Sequence, residues 1–249
     1  MNICSSSHIL AFDVDETLAE SGQPLTAEMC NILDHLSSVK GYQLAFITSR
    51  SYAELEDRMP LDLLHRAYAF TCMGMEYWYE GDLVYQHAFN FPKGLTQALE
   101  EVIAQCNFPN KTGKHIVKRP SKGALSVVGE GHSAEDRKNF IEWNKKSNFL
   151  NRTCENLRIK FPDLHFEAFG KTSIDFSDKR MSKAIVLDEL RQFEKRSVVF
   201  FGDNMQDGGN DSELKDSLLA EKANNICVWV QCPAQSYCVL KEVKKANRI

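Results

Sequence analysis

The chain of 249 residues has no Cys-x-x-Cys pair, no apolar run approaching the ~20 residues that span a bilayer, and no block of like charge. Each absence removes a class of protein. Cys227, Cys232 and Cys238 lie near one another, but their spacings match no common zinc site and no histidine stands among them. The cysteines therefore read as ordinary thiols, and a reducing, cytoplasmic location is expected. A formal net charge of -4, from 30 basic and 34 acidic side chains, gives no footprint for nucleic acid and no acidic tail. An anionic substrate must then meet a local cationic patch. The segment Met1–Ser7 lacks a basic region followed by an apolar stretch, so no signal peptide is expected. Internal repeats and low-complexity tracts are missing too.

What is present is ordinary globular material. A hydrophobic fraction of 43% with 26% charged residues supports a sizeable core. Residues 8–13 read as a short buried strand that ends at a carboxylate, Asp13. Met29, Ile32, Leu33 and Leu36 recur at helical spacing and predict a helix over Thr26–Val39. A second buried strand, Tyr42–Ile47, ends at Thr48-Ser49-Arg50; a helix over Ala53–Met59 and a strand over Ala67–Cys72 follow. Strand and helix in alternation predict a parallel sheet covered on both faces.

The alternation then breaks. Glu80-Gly81-Asp82 predicts a hairpin, and residues 84–182 carry the rhythm helix, two strands, long helix (Ser133–Phe161), two strands. Alternation resumes at Lys183, and the apolar strand Ser197–Phe201 ends at Gly202-Asp203. The expected architecture is a discontinuous Rossmann-like α/β core, residues 1–83 and 183–249, with an inserted α+β cap, residues 84–182, that sets substrate specificity. Trp143 and Trp229 are assigned to packing.

Ligands of an open parallel sheet bind beyond the carboxyl ends of its strands. Three such ends carry reactive groups: Asp13 and Asp15; Thr48; and Asp203 with Asp207 and Asp211. A carboxylate that attacks phosphorus divides one hard displacement into two easier ones. An anion attacking a dianion needs its charge neutralised, which Mg2+ supplies through oxygen ligands. Lys183 and Thr48 can hold phosphoryl oxygens, and Asp15 can give and take the proton of the leaving and entering groups.

These residues, Asp13-x-Asp15-x-Thr17, Thr48, Lys183 and Gly202-Asp203…Asn210-Asp211, resemble in order the four motifs of the haloacid dehalogenase-like superfamily. The match is to the subgroup whose α+β cap follows the third core strand. Within it, Phe12-Asp13-Val14-Asp15, Ser173-Ile174-Asp175 and Gly202-Asp203-x5-Gly209-Asn210-Asp211 are most similar to eukaryotic-type phosphomannomutases and their bacterial relatives. The resemblance implies Asp13 as nucleophile, Asp15 as acid/base, and Mg2+ held by Asp13, the Asp15 carbonyl, Asp203 and Asp211, with Asp207 as an alternative to Asp211. It implies a cap that closes over the site and binds a distal phosphate through Arg119, Arg137 or Arg152, Ser173 and Asp175, and it allows a homodimer through that cap. The substrate implied is a small phosphorylated sugar.

Three positions depart from the mutase pattern. Glu16 replaces a usual glycine, which is expected to put charge and bulk beside the phosphoryl site. Glu130 stands where a phosphate-binding arginine is expected. Thr48-Ser49-Arg50 is closer to the phosphatases of the subgroup, while Arg50 itself also reads as a solvated side chain. A sugar-phosphate phosphatase and a non-catalytic phosphosugar-binding relative therefore stand beside the mutase.

Overall fold

In the computed structural model, which describes residues 8–169, 171–179 and 182–246, the apolar run His8–Phe12 forms β1, an interior strand of a seven-stranded sheet. Met1–Ser7, with Cys4, lies outside the described residues. On one side β1 pairs in parallel with β2 (Gln43–Ile47), and β2 with β3 (Tyr68–Thr71). On the other side it pairs in parallel with β10 (Ser197–Gly202), and β10 with β11 (Ile226–Trp229). The hairpin β4 (Glu76–Tyr79) and β5 (Asp82–Gln86) adds two antiparallel strands at the β3 edge, so residues 84–86 lie in this sheet.

Alternate residues of one strand feed two cores. Leu10 and Phe12 pack with Leu33, Leu36, Leu44 and Phe46 on one face. Ile9 and Ala11 pack with Ala45, Ile47, Val186 and Phe200 on the other. A strand buried on both faces needs helices on both, which is why its sequence is apolar throughout. The described residues divide into two compact units, Met1–Gln86 with Met181–Ile249, and His87–Arg180.

The second unit holds a four-stranded antiparallel sheet of β6 (Ile116–Lys118), β7 (Gly123–Ser126), β9 (Ser173–Asp178) and β8 (Leu164–Phe169), in that order. Leu125, Phe166, Ile174 and Phe176 fill one face; Ser173, Asp175 and Lys122 are not part of that core. Its helices are α4 (Leu95–Gln105), α5 (Ala134–Ser147) and α6 (Phe149–Lys160). The single helix expected over Ser133–Phe161 is thus two. Asn148 breaks it at φ 49°, ψ 34°, a left-handed conformation that asparagine tolerates better than most residues. The helix expected over Thr26–Val39 is α-helical only over Ala27–Asp34; His35–Val39 widens into a π-turn.

Candidate active site

The sheet reverses its strand order between β1 and β10, so a crevice opens beyond their carboxyl ends. Asp13 follows β1 and Asp203 follows β10, and in-register pairing of Phe12 with Phe201 makes them neighbours. The Asp13 N–H donates to the Phe201 carbonyl at 2.9 Å, fixing the backbone from which the carboxylate projects. Lys183 precedes α7 (Ile185–Phe193) and is wholly buried. Its Nζ donates to Asp13 Oδ1 at 2.5 Å and to Asp211 Oδ1 at 2.7 Å. The Thr17 hydroxyl is also buried and stands 3.4 Å from both Asp13 Oδ2 and Asp203 Oδ1.

Glycines let the Asp203–Asp211 loop close this tightly. A Cβ on Gly202 would lie 2.5 Å from Asp211 Oδ2, and one on Gly209 would lie 2.0 Å from the Asn204 carbonyl oxygen. Asn204 N–H donates to Asp211 Oδ2 at 3.1 Å, and Asp211 N–H to the Asn204 carbonyl at 3.2 Å. Asp13, Asp203 and Asp211 can each offer one oxygen within 4.8 Å of the others. Asp207, exposed, is not in that group.

Burial lifts the Asp13 carboxyl to about 7; Lys183 pulls against this, and the charges of Asp211 and Asp203 add to the rise. Burial works against the Lys183 ammonium, but Asp13 and Asp211 more than compensate and raise its pKa. Asp203 is raised as well, by burial and then by Asp211. Three carboxylates facing one ammonium leave two negative charges uncompensated when all are ionised. An all-oxygen donor set with that charge fits a hard dication such as Mg2+.

Thr48 is buried at the end of β2; its Oγ1 accepts from Arg50 N–H at 3.1 Å. Asp15 faces other partners. Its Oδ2 accepts from Arg50 Nε at 2.8 Å, and its Oδ1 from Gly22 N–H at 3.0 Å, with Arg58 Nη1 also 3.0 Å away. Burial opposes ionisation of Asp15, yet these hydrogen bonds and the two guanidinium charges hold its pKa below the usual carboxylate range. Arg50 is therefore no solvated side chain: it is 17% exposed and also pairs with Glu54.

Arg58 was not foreseen. It is buried at 7% exposure and donates from Nε to the Gln23 carbonyl at 2.8 Å. No local pattern announces it, because its partners depend on how residues 15–23 fold back. Glu16 also differs from expectation. It takes φ 58°, the left-handed conformation that explains glycine as the usual occupant, and its exposed carboxylate accepts from Ser21 N–H at 2.9 Å. Its side chain belongs to the loop, not to the buried cluster.

The remaining predicted residues belong to the second unit. Ser173 and Asp175 alternate along β9 on one face of its sheet, and Lys122 Nζ pairs with Asp175 Oδ2 at 3.0 Å. Lys122 is a cation that motif matching passed over. Arg119 is exposed beyond β6, and its N–H donates to the Lys122 carbonyl at 2.8 Å. Arg137, on α5, reaches Thr172 Oγ1 at 3.3 Å, while Arg152 and Glu130 are exposed.

Fold and site together define an enzyme of the haloacid dehalogenase-like phosphotransferase class. Among solved structures the fold is similar to the C-terminal domain of a C. albicans trehalose-6-phosphate phosphatase, with TM-score 0.65 at 16% identity over 97% of this chain and 93% of that one. It is also similar to a haloacid dehalogenase-like hydrolase from Bacteroides thetaiotaomicron, with TM-score 0.61 at 12% identity over 96% of this chain and 99% of that one. The profile of eukaryotic phosphomannomutase matches residues 68–245. The chain belongs to the eukaryotic phosphomannomutase family. It is 30% identical to a probable phosphomannomutase of Caenorhabditis elegans, over 84% of this chain and 87% of that protein. A phosphomannomutase of Encephalitozoon cuniculi is 28% identical, over 83% of each.

Proposed function

We propose that this enzyme transfers a phosphoryl group on a phosphosugar, in the manner of a phosphomannomutase, through an aspartyl-phosphate on Asp13. The observation that carries the reading is the buried Asp13 carboxylate bound at 2.5 Å by Lys183 and grouped with Asp203 and Asp211. Asp13, Asp203, Asp211 and the Asp15 carbonyl would hold Mg2+, which supplies charge neutralisation for an anion approaching a phosphate. Lys183 fixes one Asp13 oxygen, leaving the other, beside Thr17, to attack phosphorus. The phosphorus–oxygen bond to the sugar breaks, and the leaving oxygen takes a proton from the protonated form of Asp15, a form that the Arg50 and Arg58 contacts disfavour and that release of those contacts would restore. A hydroxyl then attacks the aspartyl-phosphate, its proton passes to Asp15, and Asp13 is released. Thr48 and Lys183 are the candidates for binding phosphoryl oxygens during both steps.

Distal-phosphate recognition is assigned to the polar face carrying Ser173 and Asp175, with Arg119 and Arg137. Free thiols at the described cysteines fit a cytoplasmic enzyme. A sugar-phosphate phosphatase is the second reading, favoured by Thr48-Ser49-Arg50 and by the ion pair that Arg50 makes with Asp15. Incubation with Mg2+ and mannose 1-phosphate, with and without a hexose bisphosphate, separates the two. Mannose 6-phosphate is the product expected of the mutase; free phosphate alone would give the phosphatase. Asp13→Asn should abolish turnover with the fold intact, and retained turnover would refute the nucleophile.

A further inference from the structure

Trp229 was expected to pack, and it does not. It ends edge strand β11 with 57% of its surface exposed, although burial of an indole is normally favourable. What it does instead is donate its single N–H, at 2.9 Å, to the backbone carbonyl of Asp203. The β10–β11 ladder brings it there, since Trp229 is the register partner of Gly202 and Val230 N–H donates to the Gly202 carbonyl at 3.0 Å. The Asp203 side chain itself meets the Thr17 hydroxyl at 3.4 Å, and it also hydrogen-bonds its own peptide N–H and the Asp13 carboxyl, all within the cluster and none to the neighbouring strand β11. Asn204 and Asp211 tie the far part of the loop to each other, not to the neighbouring strand.

We infer that Trp229 is a positioning residue for cation binding: its indole N–H pins the Asp203 peptide so that the carboxylate stays aimed at Asp13 and Asp211. The inference rests on the reading that these three carboxylates bind Mg2+. Exposure carries a second consequence. A solvated indole joined to the cation-binding loop by one hydrogen bond should change its emission when that loop takes up the ion.

The test is Mg2+ titration by calorimetry and by tryptophan emission, without substrate. Trp229→Phe should bind Mg2+ about fivefold more weakly than the wild type, the effect of one ordinary hydrogen bond, with a melting temperature in chelator lowered by no more than about 4 °C. The chain has three tryptophans, so a Trp78→Phe, Trp143→Phe double variant makes Trp229 the sole indole and should keep the Mg2+-dependent emission change. Wild-type affinity retained in Trp229→Phe would overturn the inference alone. So would calorimetric binding with no emission change in the double variant, a result that does not depend on how Trp229→Phe folds. Absence of Mg2+ binding in the wild type and in Asp203→Asn alike would sink the metal reading, and the inference with it.

Discussion

Replacing Lys183 by methionine keeps most of the side-chain volume and removes the ammonium that binds Asp13 and Asp211. Both carboxylates are buried, Asp13 at 5% and Asp211 at 0% exposure, so water does not substitute for the lost partner. Removing one member of a buried charge pair costs roughly 3–5 kcal/mol, because the other charge stays unpaired. For a chain of this size that is a fall in melting temperature of roughly 6–20 °C. The loss should depend on pH. In the wild type Asp13 already has a folded-state pKa of about 7, above its ordinary 3.8, so its ionisation costs stability as pH rises toward 7. Without Lys183 the folded-state value moves higher still, since the group that lowered it is gone. Protonation then relieves the defect, and Lys183→Met should be closer to wild type at pH 6 than at pH 8. Mg2+ should restore part of the stability at pH 8 by supplying the missing positive charge, by about 2.7 kcal/mol at one hundred times its dissociation constant. Urea unfolding in chelator at the two pH values, and with Mg2+ at the higher one, measures all three. A loss below ~1 kcal/mol at pH 8, or one equal at both pH values, would refute the account of Lys183 as the counter-charge of this cluster.

Asp15→Asn should lower turnover of an alkyl phosphate such as mannose 1-phosphate by at least about tenfold, since general acid–base catalysis is worth more than that. It should leave the first-turnover release of p-nitrophenol from p-nitrophenyl phosphate, whose leaving group needs no proton, nearly unaffected; an equal loss there would mean that Asp15, held by Arg50, is only structural. Glu16→Gly relieves a left-handed backbone and gives up one exposed hydrogen bond to Ser21, so stability should change by less than ~1 kcal/mol. Phosphate release should persist in that variant, and its loss would put Glu16 back in the site.

How much of this was legible in the sequence followed from which interactions are local. β1 and β10 are uninterrupted apolar runs that end at carboxylates, and burial on both faces permits little else. Lys183 emerged from the order of motifs and not from its surroundings, because its partners lie 170 and 28 residues away. The expectation for Trp229 failed for an identifiable reason. Hydrophobicity counts the ring and ignores the N–H, and here the N–H decides where the ring sits. Asn148 failed differently: a single left-handed residue leaves the helical periodicity on either side intact. The pairings of Lys122 with Asp175, and of Arg50 and Arg58 with Asp15, are tertiary contacts with no signature in spacing.

The position of β1 has a consequence for how the chain is made. His8 pairs with Ser197, so this interior strand of the sheet waits for a neighbour 189 residues downstream. At ~5–20 residues per second, ribosomal synthesis leaves that hydrogen-bonding edge open for roughly 10–40 s. Throughout that interval an apolar strand sits unpaired on one side, an invitation to any other extended chain. The same delay guards the chemistry. Asp13, the proposed nucleophile, is made 170 residues before Lys183, so a chain that has not reached Lys183 carries Asp13 without the cation that binds it.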